Sequence, residues 1–386
     1  MPKITNKYIL KNTSFFEDEK LVKNKNIIIE NGIISNILDS GDNTANLDDV
    51  KEYDCTNLLL SPAFIDLQIN GCGGVLLNDN ISINTLEVMH KTNKKYGCTS
   101  FLPTLITTDA DEIKQALEVV YNAHKNKPNN ILGIHIEGPY ISIEKKGAHN
   151  PKYIKPIDDE MVDVLCSYAN KMVVKLTLAP ENNSSEHIKK LFNAGVKLSI
   201  GHSNATYKQA IEAINNGISL STHLFNAMSA LQGREPGVVG AILNSDIYAG
   251  IITDGIHVDY ANINLVHKIK KNKLYIVSDA VTPMGTDMKE FYLANQKVIV
   301  ENGRCVNESG SLAGANIDML NSLINCIRYA NISKSQAFAM ATNIPAIAIG
   351  VDSKLGFIKK GYIANLVILD NDYKIHHVID NGILEA

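Results

Sequence analysis

Five residues of this chain join a reactive side chain to a position just after a short apolar run: Glu137 in HIEGPY, His202 in GHSNAT, His223 in THLFNAM, His257 in TDGIHVD and Asp279 in VSDA. Imidazole is the commonest ligand of zinc-like ions, and catalytic sites use three protein ligands plus water. Each residue alone has a plain structural alternative. His202 and His223 could be satisfied loop histidines, Glu137 a surface or capping carboxylate, and Asp279 the N-cap of the next segment. Together, at the ends of separate strands, they form a metal-site constellation. His202 and His223 are then ligands, Glu137 faces the mouth, and Asp279 suits a general base that takes a proton from water beside the ion. His135 lies two residues before Glu137 and points the same way, as a packing residue. Gln68, Asn70, Glu181 and Asp254 also fall at strand ends. Arg234 in GREPG has the planar fork that recognises carboxylate or phosphate, or else pairs with Glu235 at the surface. His149 in KKGAHNP is open to either kind of reading.

Such residues need strands to carry them. Apolar runs at 63–68, 98–103, 131–136, 173–178, 196–201, 218–223, 248–253 and 274–278 predict eight strands. Helical patterns at 83–96, 109–126, 157–170, 184–194, 206–216 and 258–271 lie between most of them. Eight strands alternating with helices is the count of a closed parallel barrel, whose catalytic groups sit past the C-terminal strand ends. An open doubly wound sheet is the alternative, weakened because no G-x-G-x-x-G follows the first strand. Residues 281–315 are rich in turn signals, with a strand pair expected at about 290–306 as a lid. Helices at about 316–330 and 333–342 close the block. At the ends, 26–37 reads as a hairpin about Asn31-Gly32, and 363–384 as short strands broken by turns. Neither end can bury a core alone. The expected fold class is therefore α/β: a (β/α)₈ TIM-like barrel over 58–355, with a small β-sandwich domain from both termini, 1–57 and 356–386.

Composition narrows the partners. A net charge of -4 over 386 residues leaves no basic patch for nucleic acid. No apolar run approaches a membrane span and no signal peptide is evident, so a cytoplasmic protein is expected. Six cysteines without a C-x-x-C pair read as reduced thiols.

The segments SPAFIDLQINGCGG, GIHIEGPY, KKGAHNP, LTLAPE, GHSNAT, THLFNAM, GREPG, TDGIHVD, VSDA and SLAG resemble, in order, those of the N-acetylglucosamine-6-phosphate deacetylases of the amidohydrolase superfamily. The resemblance runs from about residue 25 to the C-terminus. It implies hydrolysis of the acetamide of a phosphorylated amino sugar, releasing acetate, in amino-sugar catabolism and recycling. It implies Glu137, His202 and His223 as metal ligands and Asp279 as acid/base. His257 would polarise the acetyl carbonyl or hold the sugar. Ala148, His149, Asn226, Ala227 and Arg234 would contact the sugar phosphate. Leu312, Ala313 and Gly314 would line the substrate. One divalent ion per subunit is implied, Zn²⁺ first, with Fe²⁺ or another ion as alternatives. A homodimer or homotetramer is implied too, in which a neighbouring subunit reaches the phosphate. Many superfamily members carry His-x-His at the end of strand one. This chain has Gln68-Ile69-Asn70, and amides are poor ligands, so a second ion is not expected. Ala63 and Ala315-Asn316 are smaller departures. The rival readings are a cyclic-amide hydrolase of the same superfamily, a deacetylase for another amino sugar, and a non-catalytic scaffold.

Overall fold

The computed structural model describes residues 7–42 and 50–385. Of the segments expected to build the terminal domain, residues 1–6, 43–49 and 386 lie outside the described residues.

The eight apolar runs become the strands of one parallel sheet. In chain order they are β1 (Phe64–Ile69), β2 (Cys98–Ile106), β3 (Gly133–Glu137), β4 (Val173–Leu178), β5 (Lys197–Ile200), β6 (Leu220–Ser221), β7 (Tyr248–Ile251) and β8 (Leu274–Ile276). Each pairs in parallel with the next. The seam from β8 back to β1 closes just beyond the strands. Ile69 bridges Ala280, and the Asp279 N–H donates to the Gln68 carbonyl at 2.9 Å. The sheet is therefore a nearly closed barrel. Its first three strands are buried along their whole length, which is why they read as continuous apolar runs rather than alternating ones.

The six expected helices form at Ile83–Lys94, Ala110–Asn126, Asp159–Ala169, Ser185–Asn193, Tyr207–Asn215 and Tyr260–Lys270. Each starts where a side chain, from Ser82, Asp109, Asp158, Ser184, Thr206 or Asp259, accepts an N–H of the first turn. The helix after β6, Gly237–Leu243, was not expected. Its sequence GVVGAIL carries two glycines, is buried over its first six residues and has no side-chain cap, so it shows neither propensity nor an amphipathic period.

The strand pair expected at 290–306 is a four-stranded antiparallel meander: Glu290–Leu293, Gln296–Glu301, Arg304–Asn307 and Leu312–Ala315. It has its own apolar core, with Phe291, Leu293, Val298, Cys305 and Ala313 packed on Val281 and Ile106. Its last strand is anchored to the barrel, since the Ala315 N–H donates to the Asp279 carbonyl at 3.0 Å. Helices Met319–Arg328, Lys334–Ala341 and Asn343–Ile349 follow.

Both ends of the chain meet in one further sheet. Lys7–Glu17, Lys20–Glu30, Ile33–Asp39, Lys51–Asp54 and Leu59–Pro62 join Leu366–Leu369, Ile375–Asp380 and Ile383–Glu385. The hairpin at Asn31-Gly32 is present, with φ of 52° and 83°. Leu59–Pro62 runs antiparallel to Leu366–Leu369 and touches the first strand through the single pair Ser14–Leu59. Tyr8, Leu10, Ile27, Ile29, Leu60, Leu366 and Ile368 share one core. Asp380 ties this sheet to the barrel, accepting from Asn130 Nδ2 at 2.7 Å and pairing with His90 Nε2 at 3.2 Å. The six cysteines are all unpaired. Among the described residues no helix is long and apolar enough to cross a membrane.

Candidate active site

Three ligand-type side chains converge at the C-terminal end of the barrel. Glu137 is the last residue of β3. His202 follows β5 after Gly201, and His223 comes two residues past β6. Glu137 Oε1 lies 3.0 Å from His223 Nε2 and 3.3 Å from His202 Nε2, and the two imidazole nitrogens are 3.0 Å apart. Gly138 lets the chain turn away directly after the ligand. Its φ is 81°, and a Cβ there would stand 2.2 Å from Thr107 Oγ1.

The site is held by its surroundings. His202 Nδ1 is 2.8 Å from the Lys145 carbonyl, which fixes Nε2 as the inward nitrogen. Glu181 accepts from Ser203 Oγ at 2.7 Å and from the Asn204 N–H at 2.6 Å, pinning the turn that carries His202. His202, His223 and Asp279 have φ of 47°, 26° and 49°, left-handed values for residues with a Cβ. Such backbone is costly and persists where the surroundings over-determine it.

The two carboxylates are driven apart electrostatically. Burial would raise the Glu137 carboxyl, but the hydrogen bonds of His202 and His223 and the charges of His223 and His135 outweigh it and hold the group well below the usual carboxylate range. Asp279 is pushed up, by burial first and then by the Glu137 charge. For His223, burial acts downward, yet the bond and charge of Glu137 win and raise it. One carboxylate that stays ionised beside one that accepts protons readily is the division that separates a ligand from an acid/base. Asp279 Oδ1 accepts from Asn70 Nδ2 at 2.8 Å and from Gln68 Nε2 at 3.1 Å. His257 Nδ1 lies 2.7 Å from Asp254 Oδ2, whose other oxygen accepts the N–H groups of Ile256 and His257.

A divalent ion suits these donors. A tetrahedral site with bonds of about 2.0–2.1 Å has ligand edges of roughly 3.3–3.4 Å. The three edges here run from 3.0 to 3.3 Å, slightly contracted from that figure. A further imidazole, His149, places a ring nitrogen within 4.8 Å of the ligand atoms of Glu137 and His202. Its Nδ1 lies 2.7 Å from Thr107 Oγ1. His223 Nε2 lies 3.0 Å from both Glu137 Oε1 and His202 Nε2, so Glu137, His202 and His223 form the tighter candidate set and His149 flanks it.

These groups open into a cavity of about 320 Å³, at the small end of the ligand-cleft range of roughly 300–1,000 Å³. A profile of the amidohydrolase family matches residues 59–384. The chain belongs to the amidohydrolase family. It is 41% identical to the N-acetylglucosamine-6-phosphate deacetylase of Haemophilus influenzae, over 97% of this chain and 98% of that protein. It is 38% identical to the N-acetylgalactosamine-6-phosphate deacetylase of a Shewanella species, over 85% of this chain and 83% of that one. Among solved structures it is similar to the N-acetylglucosamine-6-phosphate deacetylase of Pasteurella multocida, with a TM-score of 0.95, 42% identity and coverage of 98% and 100%.

Within this amidohydrolase cavity the expected residues are placed unevenly. Asp279, His257, Ala148, His149, Asn226, Ala227, Leu312 and Gly314 line it with the three ligands. Ala313 does not. It alternates with Leu312 and Gly314 along the strand and turns into the meander core. Arg234 is also outside the cavity of its own chain. It is exposed, and Glu235, its supposed ion-pair partner, accepts instead from the N–H groups of Tyr207 and Gly237. His149, expected at the phosphate, sits beside the ligands. Sequence reasoning missed Glu144, Lys145, Val281 and Leu293 as lining residues. They come from loops and the meander, where no periodicity marks the inward face.

Proposed function

We propose that this amidohydrolase hydrolyses the acetamide of N-acetyl-D-glucosamine 6-phosphate, giving D-glucosamine 6-phosphate and acetate in amino-sugar metabolism. The observation that carries the reading is the convergence of Glu137, His202 and His223 with Asp279 at the barrel mouth, in a chain 41% identical to a deacetylase of that name.

Glu137, His202 and His223 would hold one divalent ion, zinc first, with iron or another divalent ion as alternatives. When bound, such an ion lowers the pKa of water and polarises a carbonyl oxygen. Asp279 takes the proton of the attacking water through its Oδ2, because its Oδ1 is occupied by Gln68 and Asn70. It then gives that proton to the leaving nitrogen, since an amide anion is a very poor leaving group. His149, expected at the phosphate, lies beside Glu137 and His202, and from there would donate to the acetyl oxygen as charge develops. His257, whose Nδ1 is held by Asp254, would polarise the acetyl carbonyl or hold the sugar. Leu312 and Gly314 would line the substrate, and Asn226 and Ala227, which line the same cavity, would contact the sugar phosphate.

Arg234 would serve the phosphate from a neighbouring copy in a homodimer or homotetramer, because it is exposed and does not line the cavity of its own chain. The chain is read as a terminal β-sandwich (1–57 and 356–386) and a catalytic barrel (58–355); Leu59–Pro62, although inside the second range, pairs with the terminal strand Leu366–Leu369 and gives Leu60 to the terminal core.

The test is acetate release from N-acetylglucosamine 6-phosphate with and without chelator. No release from the metal-loaded protein would sink the reading. The 38% identity to a galactosamine deacetylase supports a second reading, the 4-epimer as substrate. Measuring kcat/KM for both sugars decides between them.

A further inference from the structure

The amide pair that stands where other superfamily members carry His-x-His is engaged in an unusual way. Gln68 is wholly buried and Asn70 nearly so. Gln68 Nε2 donates to Glu137 Oε1 at 3.0 Å and to Asp279 Oδ1 at 3.1 Å. A single NH₂ thus spans the metal ligand and the acid/base. Asn70 Nδ2 donates to the same Asp279 oxygen at 2.8 Å. The main chain repeats the link, because the Asp279 N–H donates to the Gln68 carbonyl at 2.9 Å. Beneath them Asp66 accepts the Gln68 N–H at 3.1 Å, and its carboxylate also accepts from the Ser278 hydroxyl.

The orientation of the two amides is forced. Carboxylate oxygens accept, so the NH₂ ends must face Glu137 and Asp279. The carbonyl ends, Gln68 Oε1 and Asn70 Oδ1, are buried and find no donor among the described residues. An amide kept only for packing would turn to satisfy both ends, and buried acceptors without donors are uncommon enough to need a reason. The reason lies at Asp279. Two donors fill the lone pairs of Oδ1 and hold the carboxylate against rotation, which leaves Oδ2 outside the clamp.

We infer that Gln68 and Asn70 are positioning residues for proton transfer: an amide clamp that fixes Asp279 against the metal ligand Glu137. The inference rests on the reading of Asp279 as acid/base. That reading is tested separately, by whether Asp279→Asn loses turnover while keeping its metal.

The clamp is tested by a double-mutant cycle. Gln68→Met keeps the length and removes both donors. It lowers kcat on N-acetylglucosamine 6-phosphate by roughly 10- to 100-fold, changes KM by less than about threefold, and retains the bound metal. In the Asp279→Asn background the same substitution lowers kcat by less than about threefold, because the group it positions is already gone. Asn70→Ala behaves alike, and it replaces Gln68→Met in the cycle if that variant does not fold. Three results overturn the clamp: near-normal kcat in both single variants, the full loss repeated in the Asp279→Asn background, or loss of metal as the cause of the deficit.

Discussion

At the scale of single residues, the site was legible where chemistry and position coincide. Glu137, His202, His223 and Asp279 stood out because each follows an apolar run, and a barrel directs those positions to one mouth. Gln68 and Asn70 were legible only as ligands that could not be. Their role as donors needs distances that no spacing encodes. Arg234 and Ala313 were placed by motif order, which does not say which way a loop or strand faces. Two predictions belong here. Asp279→Asn should lower kcat by about 10²–10⁴ with one metal per chain retained, measured by acetate release and elemental analysis. The metal itself should leave more readily in acid. Ligands must be deprotonated to bind, and His223, raised by Glu137, takes up a proton earlier than a free imidazole would. A chelator should therefore strip the protein faster at pH 5.5 than at pH 8. A rate independent of pH would remove the histidines from the ligand set.

At the scale of elements, the eight strands and six capped helices were readable because they are apolar runs and amphipathic periods with Ser, Thr or Asp in front. The helix Gly237–Leu243 lacked every such sign. The third and fourth strands of the meander were hidden because Arg304–Asn307 and Leu312–Ala315 are short and mixed in character. The joint between terminal sheet and barrel was invisible, since it couples residues 250 apart, Asn130 and Asp380. Its Asp380 carboxylate is held below the usual range. Burial would raise it, and the hydrogen bond and charge of His90, with Asn130 and Lys94, outweigh that. A depressed carboxylate contributes stability above its unfolded value, near pH 4, and loses it as pH falls through the folded one. Asp380→Asn should therefore destabilise by about 1–3 kcal/mol at pH 7, seen as a lower Tm. The gap should narrow as pH falls below the usual carboxylate range. A constant difference across that range would mean that packing, not charge, makes the joint.

At the scale of the whole molecule, one prediction concerns copies of the chain. Arg234→Ala and Asp279→Asn should each be weak on the phosphorylated sugar. If arginine acts across an interface, mixing the two variants under subunit exchange should recover activity. Hybrid assemblies would pair an intact Asp279 with the neighbour's intact Arg234. No recovery, with exchange shown by mass, would return Arg234 to its own chain. The sheet made from both ends carries a different consequence, one of timing. Among the described residues Leu59–Pro62 finds its antiparallel partner in Leu366–Leu369, and chains are synthesised at about 5–20 residues per second. The roughly 300 residues between them mean that, on the ribosome, Leu60 and its neighbours wait about 15–60 s for that partner. Throughout that interval an apolar strand edge stands open to other nascent chains. The barrel can begin to assemble behind it, but the clasp that joins the two ends is fastened last.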